Sequence, residues 1–108
     1  MITIPFANYR IILIFGNNTT LVQRQLATFQ KDSSGLAERD LIVKQVRHRD
    51  NLYQTYDIIL KEPFTVILIG KDGGEKYRSN SILTADRLFA MVDAMPMRQS
   101  EMRQPKHK

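Results

Sequence analysis

A short polar stretch between a predicted strand and a predicted helix offers the first side chains that could do chemistry. Its two amides and two hydroxyls come from Asn17, Asn18, Thr19 and Thr20. The first turn of a helix has unpaired backbone N–H groups and the positive end of the helix dipole, and both favour an anion. We weigh a pocket for a small anion or a peptide against simple capping of the helix, and we favour capping.

The residue types that are missing exclude whole classes of chemistry. The chain has no cysteine, so cysteine nucleophiles, redox dithiols, disulfides and thiolate metal sites are all excluded. The two histidines, His48 and His107, have no further ligands at metal-binding spacing. Ser33, His48 and Asp50 could be combined into a hydrolytic triad, but no nucleophile elbow accompanies them. We therefore assign no catalytic residue, no metal ligand and no cofactor.

Two other polar stretches have a structural interpretation that we prefer. Residues 71–74 (KDGG) lack the spacing and the following helix of a phosphate-binding loop, and Asp72-Gly73 predicts a β-hairpin turn instead. The basic residues Lys44, Arg47, His48 and Arg49 follow a predicted strand. Charged side chains at a strand exit are usually solvated, so an anion-binding surface there is the weaker interpretation.

The overall composition indicates one globular domain. The chain has 108 residues, 43% of them hydrophobic and 25% charged, which is enough for a single core. The net charge is +5, and the tail from Arg98 onward supplies four bases and one acid. We therefore divide the chain into a domain at residues 1–97 and a basic, partly flexible C-terminal arm at residues 98–108. A basic tail alone is weak support for nucleic-acid binding, which we disfavour.

The periodicity of apolar residues predicts the elements that position these groups. Strands are expected at residues 9–15, 41–46, 64–69 and 75–79, the last two joined as a hairpin. A first helix is expected at about 20–31, started by a capping box of Thr20 and Gln23 and ended by residues 32–35. A short helix is expected within residues 52–60, and a final one from the N-cap Thr84 to about Met95.

The resulting order is β-α-β-α-β-β-α. A strand, a crossover helix and a parallel strand, followed by an antiparallel hairpin and a closing helix, form the core of a thioredoxin-like fold. We therefore predict an α/β three-layer sandwich around a central mixed sheet. No apolar run is long enough to span a bilayer, and the N-terminus does not resemble a signal peptide.

Three segments resemble one family. They are residues 35–41 (GLAERDL), 70–74 (GKDGG) and 93–103 (DAMPMRQSEMR). Together they resemble the P-DUDES family, a domain of unknown function found in bacterial proteins and in vertebrate sushi-repeat extracellular matrix proteins. The resemblance extends from about Arg10 to about Arg103 and implies a thioredoxin-like fold, often in exported proteins, with no established reaction.

The resemblance also indicates where an ancestral active site would lie. Redox members of the wider group carry their thiols between the first strand and the first helix, where this chain has the polar stretch at residues 17–20. A cis-proline before the third strand is a second hallmark of that group. Pro63 lies close to this position, but Phe64 is the residue equivalent to it, and we expect Pro63 to be trans.

The charges inside the resembling segments are the second set of candidate site residues. They include Arg39, Arg98 and Glu101. An arginine fork that holds a carboxylate could brace the C-terminal arm against the domain, or it could hold an acidic ligand. We favour bracing. If the second interpretation holds, these residues and the stretch at 17–20 should converge on one cleft.

The leading functional hypothesis is a non-redox, thioredoxin-like binding or interaction module. Its partner would be an unknown protein or a small anionic ligand, with homo-oligomer formation left open. One alternative is a thiol-independent enzyme or binding protein for a small anion, and the other is a weak nucleic-acid binder acting through the tail. The resemblance suggests the cell envelope or secretion, and the cytoplasm stays open.

Overall fold

A mixed four-stranded sheet forms the centre of the computed structural model, which describes residues 8–103. Its strands are β1 (Arg10–Phe15), β2 (Leu41–Gln45), β3 (Thr65–Ile69) and β4 (Glu75–Ser79). The spatial order is β2-β1-β3-β4, with β1 parallel to β2 and antiparallel to β3, and β3 antiparallel to β4. The α/β fold predicted from the sequence is confirmed, and this order is compatible with a thioredoxin-like sandwich.

Five helices accompany the sheet within the described residues. They are α1 (Thr19–Gln30), α2 (Ser33–Glu38), α3 (Leu52–Thr55), α4 (Ala85–Asp93) and α5 (Pro96–Arg103). The central strands β1 and β3 are buried along their whole length, which explains why their sequences are continuous apolar runs.

The main core lies on the sheet face that α1 and α4 cover. Ile12, Ile14, Val66 and Leu68 of the sheet pack there against side chains of the two helices, among them Val22, Phe29, Leu88 and Val92. The amide of Gln25 is also fully buried on this side. It donates to the Leu83 carbonyl at 2.8 Å and accepts from the Leu83 N–H at 2.7 Å, so it ties α1 to the segment before α4.

The opposite sheet face has a much smaller cover, supplied by α3 and its flanking loops. Ile11, Leu13 and Phe15 pack there against Leu52 and Tyr53. Because α3 has only four residues, part of the apolar loop that follows it stays in solvent. Ile59 is 57% exposed and Leu60 is 69% exposed.

The first helix starts differently from the prediction. The predicted capping box of Thr20 and Gln23 does not form, because the N-cap is Asn18 and the helix begins at Thr19. The Asn18 Oδ1 accepts a hydrogen bond from the Leu21 N–H at 3.0 Å. An asparagine at this position satisfies a free donor of the first turn better than a threonine two residues later.

The first helix ends at Gln30, close to its predicted end, but the sequence did not predict α2, which begins at Ser33 within the predicted stop. Its Leu36 is half-buried against the main core. Gly35 fits inside this helix because a Cβ there would lie only 2.7 Å from the Phe89 ring of α4. A residue interpreted as a helix breaker therefore allows two helices to approach closely.

The predicted helix at residues 52–60 is confirmed only for its first turn. Asp57 has a φ of +51° and ends α3 in a left-handed conformation. The Ile58 N–H bonds to the Tyr53 carbonyl and the Asp57 N–H to the Gln54 carbonyl, which is the Schellman pattern of a helix end. This cap sends residues 58–60 away from the helix axis.

Candidate functional site

Charged side chains, two of them buried, form an ionic cluster beside the first residue of β1. In its first half, Arg10 and Lys71 pair with Asp40 and Glu101. The Arg10 side chain is 1% exposed, and its guanidinium forks onto both carboxylate oxygens of Glu101 at 3.3 and 3.1 Å. Lys71 donates to Asp40 and to Glu101, each at 2.8 Å. Four chain segments thus meet at one point.

The second half of the ionic cluster consists of Glu38, Arg39, Asp93 and Arg98. Arg39 forks onto Asp93 through bonds of 3.0 and 2.9 Å, and its guanidinium stacks on the Phe89 ring at 4.0 Å. Arg98, 4% exposed, donates to Asp93 at 3.0 Å and to the Glu38 carboxylate at 3.0 Å. Arg10 links the halves by donating to the Arg39 carbonyl at 2.9 Å.

These pairs change the pKa values of the carboxylates. The hydrogen bond from Arg39 lowers the pKa of Asp93 below its ordinary value, although burial opposes it, and Arg98 adds to the effect. Burial would raise the pKa of Glu101, but hydrogen bonds from Lys71 and Arg10 outweigh it and lower that pKa. Both carboxylates are therefore held in the charged form.

The ionic cluster is electrically balanced, because each half contains two cations and two carboxylates. It also attaches α5 to the domain. The buried residue of α5 is Arg98, whereas Met97 and Met102 are about half exposed. The helix is thus docked mainly by charge, which is the bracing role predicted for the arginine fork.

The predicted site residues do not converge on one cleft. Arg39, Arg98 and Glu101 belong to the ionic cluster at the first residue of β1, whereas Asn17 to Thr20 follow its last residue. The six residues of β1 separate the two groups by about 17 Å. Asn18 caps α1 and donates its N–H to the Pro63 carbonyl at 3.2 Å, and Thr19 and Thr20 are exposed in the first turn of α1.

Of the predicted polar stretch, Asn17 is the residue that borders a cavity. It lines a small pocket of about 180 Å³ together with Gly16, His48, Tyr53 and Leu60. All peptide bonds of the described residues are trans, including that of Pro63, as predicted. A Cβ on Gly16 would lie 2.3 Å from the Pro63 carbonyl oxygen, so glycine is needed where these two loops touch.

A larger cavity adjoins this pocket, and we call it the α3 cavity. Its volume is about 600 Å³, and its lining includes His48, Arg49, Tyr53, Asp57, Ile58 and Leu60. Four of these residues also line the small pocket, so the two form one depression at the end of β1 where the strand enters α1. The lining combines the apolar side chains of Tyr53, Ile58 and Leu60 with a larger number of polar and charged groups.

Tyr53 gives the α3 cavity a fixed floor. Its hydroxyl accepts a hydrogen bond from the Gly16 N–H at 3.0 Å, and its ring packs edge-to-face on Phe15 with centroids 5.0 Å apart. The His48 ring lies over the other side of Tyr53 at 6.0 Å. The Tyr53 floor of the α3 cavity is thus attached directly to the buried end of β1.

The charges around the α3 cavity are not balanced as those of the ionic cluster are. Asp50 accepts a hydrogen bond from the Leu52 N–H at 2.9 Å, and Asp57 interacts with the charge of Arg78. Among the described residues, no side chain pairs with the exposed guanidinium of Arg49, and the same is true of Lys44 and Arg47. An unpaired cation therefore lies in the lining of the α3 cavity, beside the apolar side chains of Ile58 and Leu60.

Residues 8–103 contain neither a candidate metal site nor a candidate membrane-spanning helix. No group of three or more histidine, aspartate or glutamate side chains is arranged to hold a metal ion. None of the helices in this range has the length and apolar character needed to cross a membrane.

Sequence reasoning identified the ionic cluster better than the cavity. Seven of its residues lie in the three segments that carry the family resemblance, and Arg10 was missed because it lies within an apolar strand. His48 and Arg49 were interpreted as solvated charges. The apolar triplet at residues 58–60 was included in the helix predicted within residues 52–60, and it would have indicated the cavity only if α3 had been predicted to end before it.

Comparison with known proteins gives a family but no function. No curated protein and no solved structure matches the chain. A family model described as a domain of unknown function (DUF4174) matches residues 7–101. This match has no link to the P-DUDES family or to sushi-repeat proteins, so that resemblance stays a prediction. Since the match covers most of the 108 residues, the chain belongs to the DUF4174 family.

Proposed function

We propose that the protein is a non-redox binding module that holds a segment of a partner protein in the α3 cavity. The observation that carries this proposal is the exposure of Ile59 and Leu60, at 57% and 69%, on the rim of a cavity with a rigid aromatic floor. Exposed apolar side chains grouped beside a cavity are typical of surfaces that bury on binding.

Without cysteine, a thioredoxin-like site could still bind a peptide segment, but it could not carry out thiol redox chemistry. In this chain the thiol position is taken by residues 17–20, and the loop before β3 lies against it through the Asn18–Pro63 hydrogen bond. Asn17 and the α3 cavity are on the same side of these loops. A bound segment would therefore contact the β1–α1 loop and the rim at residues 58–60.

The ionic cluster gives less support to the alternative of an enzyme or receptor for a small anion. Its cations are already paired with carboxylates of the same chain, so an anion would have to displace one of them. Displacement would break an existing charge-assisted pair and bring two negative charges close together, which is costly. The cluster is better suited to holding α5 in place.

The proposal can be tested with a random library of twelve-residue peptides. Peptides are selected on the immobilised wild-type protein, and their Kd is measured by fluorescence polarisation. Leu60→Asp should weaken binding at least about tenfold, because a charge replaces an apolar contact. Gln23→Asp is the matched control, since Gln23 is exposed on α1, on the other face of the sheet.

The control variant should bind the selected peptides with unchanged Kd. Peptides that bind wild type, Leu60→Asp and Gln23→Asp equally would overturn the proposal. So would a selection that enriches no peptide at all.

A further inference from the structure

We propose that Arg49 is the specificity-determining residue of the α3 cavity and that the bound segment carries an acidic side chain next to an apolar one. This inference rests on the proposed function and adds the chemistry of the partner. The acidic side chain would pair with the Arg49 guanidinium, and the apolar one would pack on Tyr53, Ile58 and Leu60.

The first support is charge complementarity. The cavity lining also contains two carboxylates: Asp50 accepts a hydrogen bond from the Leu52 N–H, and Asp57 interacts at longer range with the charge of Arg78, which is paired with Glu75. Arg49 is the guanidinium of this lining, and it has no partner among the described residues. Bringing a carboxylate to an unpaired guanidinium gains a forked, charge-assisted hydrogen bond without breaking an existing ion pair.

The second support is the backbone of Arg49. Its φ is +71°, and it occupies the third position of a turn closed by the Asp50 N–H and the Arg47 carbonyl at 3.0 Å. Glycine is the usual residue at a turn position with positive φ, because a Cβ is strained there. Asp57 also has a positive φ, but aspartate tolerates this conformation and caps α3, whereas arginine has no such local reason. A residue with a strained backbone at the rim of a cavity is typical of a functional position.

Charge also argues against two other occupants. A second copy of this chain would bring another protein with a net charge of +5 to a rim that carries the unpaired Arg49. A nucleic acid would bring a row of phosphates to a lining with one guanidinium, which can match a single acidic group, and it would leave the apolar rim without a matching surface.

The test uses the peptides selected above, each paired with a synthetic copy in which Asp or Glu is replaced by Asn or Gln. On the wild-type protein, neutralising the acidic residue should raise Kd about tenfold, the effect of one charge-assisted hydrogen bond. On Arg49→Gly, the acidic and neutral copies should bind alike, because the guanidinium that distinguishes them is gone.

Arg49→Gly also provides an internal check on folding. Glycine relieves the left-handed strain, so Tm should rise or stay equal while discrimination is lost. Arg47→Ala is the matched control: it removes the same charge two residues away, outside the cavity lining, and it should keep most of the difference between the paired peptides. Arg49→Lys should keep part of it, since lysine supplies charge without the fork.

The outcomes separate this inference from the proposed function. Peptides that depend on Leu60 but bind equally well in their acidic and neutral forms would overturn the role of Arg49 and leave the binding module standing. An equal loss of discrimination in Arg47→Ala and Arg49→Gly would also overturn it, by indicating a diffuse charge effect. Sedimentation measures whether the wild type forms a dimer. If it does, and if Leu60→Asp abolishes the dimer, the occupant is a second copy of the chain. Absence of any Leu60-dependent peptide would contradict both proposals.

Discussion

At the scale of single residues, the same type of side chain has opposite roles at the two ends of β1. Arg10 is 1% exposed and forked onto Glu101, whereas Arg49 is exposed and unpaired among the described residues. Removing one member of a buried pair leaves an uncompensated charge, which costs far more than the loss of a surface pair. The Arg10 Nε already lacks a hydrogen-bond partner within residues 8–103, so this side chain has little tolerance for losing Glu101.

Glu101→Ala should therefore lower the free energy of unfolding by about 3 kcal/mol. Alanine is the best helix former, so α5 loses no intrinsic helix propensity. Glu75→Ala is the matched control, because it breaks the exposed pair with Arg78 and should cost at most about 1 kcal/mol. Urea unfolding at neutral pH measures both. Similar losses for the two variants would contradict the structural role of the Arg10–Glu101 pair.

At the scale of elements, the sequence predicted strands better than helix ends. The strands β1 and β3 are continuous apolar runs because both faces are covered, and such runs are recognisable without knowing the partner strands. The sequence did not predict α2, because Gly35 looks like a helix breaker until the Phe89 ring of α4 is placed against it. Likewise, Gln25 looks like a surface residue until the Leu83 backbone is placed against it.

The docking of helix α5 should weaken in acid, because ion pairs hold the helix against the domain. The pKa values of Asp93 and Glu101 are lowered in the folded protein, so these groups stabilise it fully above their ordinary values of 3.8 and 4.5. That stability is lost as the pH falls through the lowered folded values. The double variant Asp93→Asn/Glu101→Gln should be less stable than wild type at pH about 7, with a difference that shrinks toward pH about 2. Urea unfolding across this range measures the difference, and a difference independent of pH would contradict the ionic docking of α5.

At the scale of the whole molecule, the two ends of β1 lie at sites with different roles. The end at Arg10 holds the balanced ionic cluster and docks α5, and the end at Phe15 opens into the α3 cavity. The sequence could predict the fold order and most members of the cluster, because both depend on patterns along the chain. It could not predict the cavity, because the exposure of residues 58–60 depends on where Asp57 ends α3.

The most direct test of this division compares Leu60→Asp with Glu101→Ala in two assays, peptide affinity and the free energy of unfolding. Leu60 is 69% exposed, so its replacement should weaken affinity at least about tenfold and change stability by less than about 0.5 kcal/mol. Glu101→Ala should lower stability by about 3 kcal/mol and leave the Kd of the folded protein unchanged. If Glu101→Ala abolished peptide binding while the protein stayed folded, the ionic cluster would be the binding site and the division of roles would be wrong.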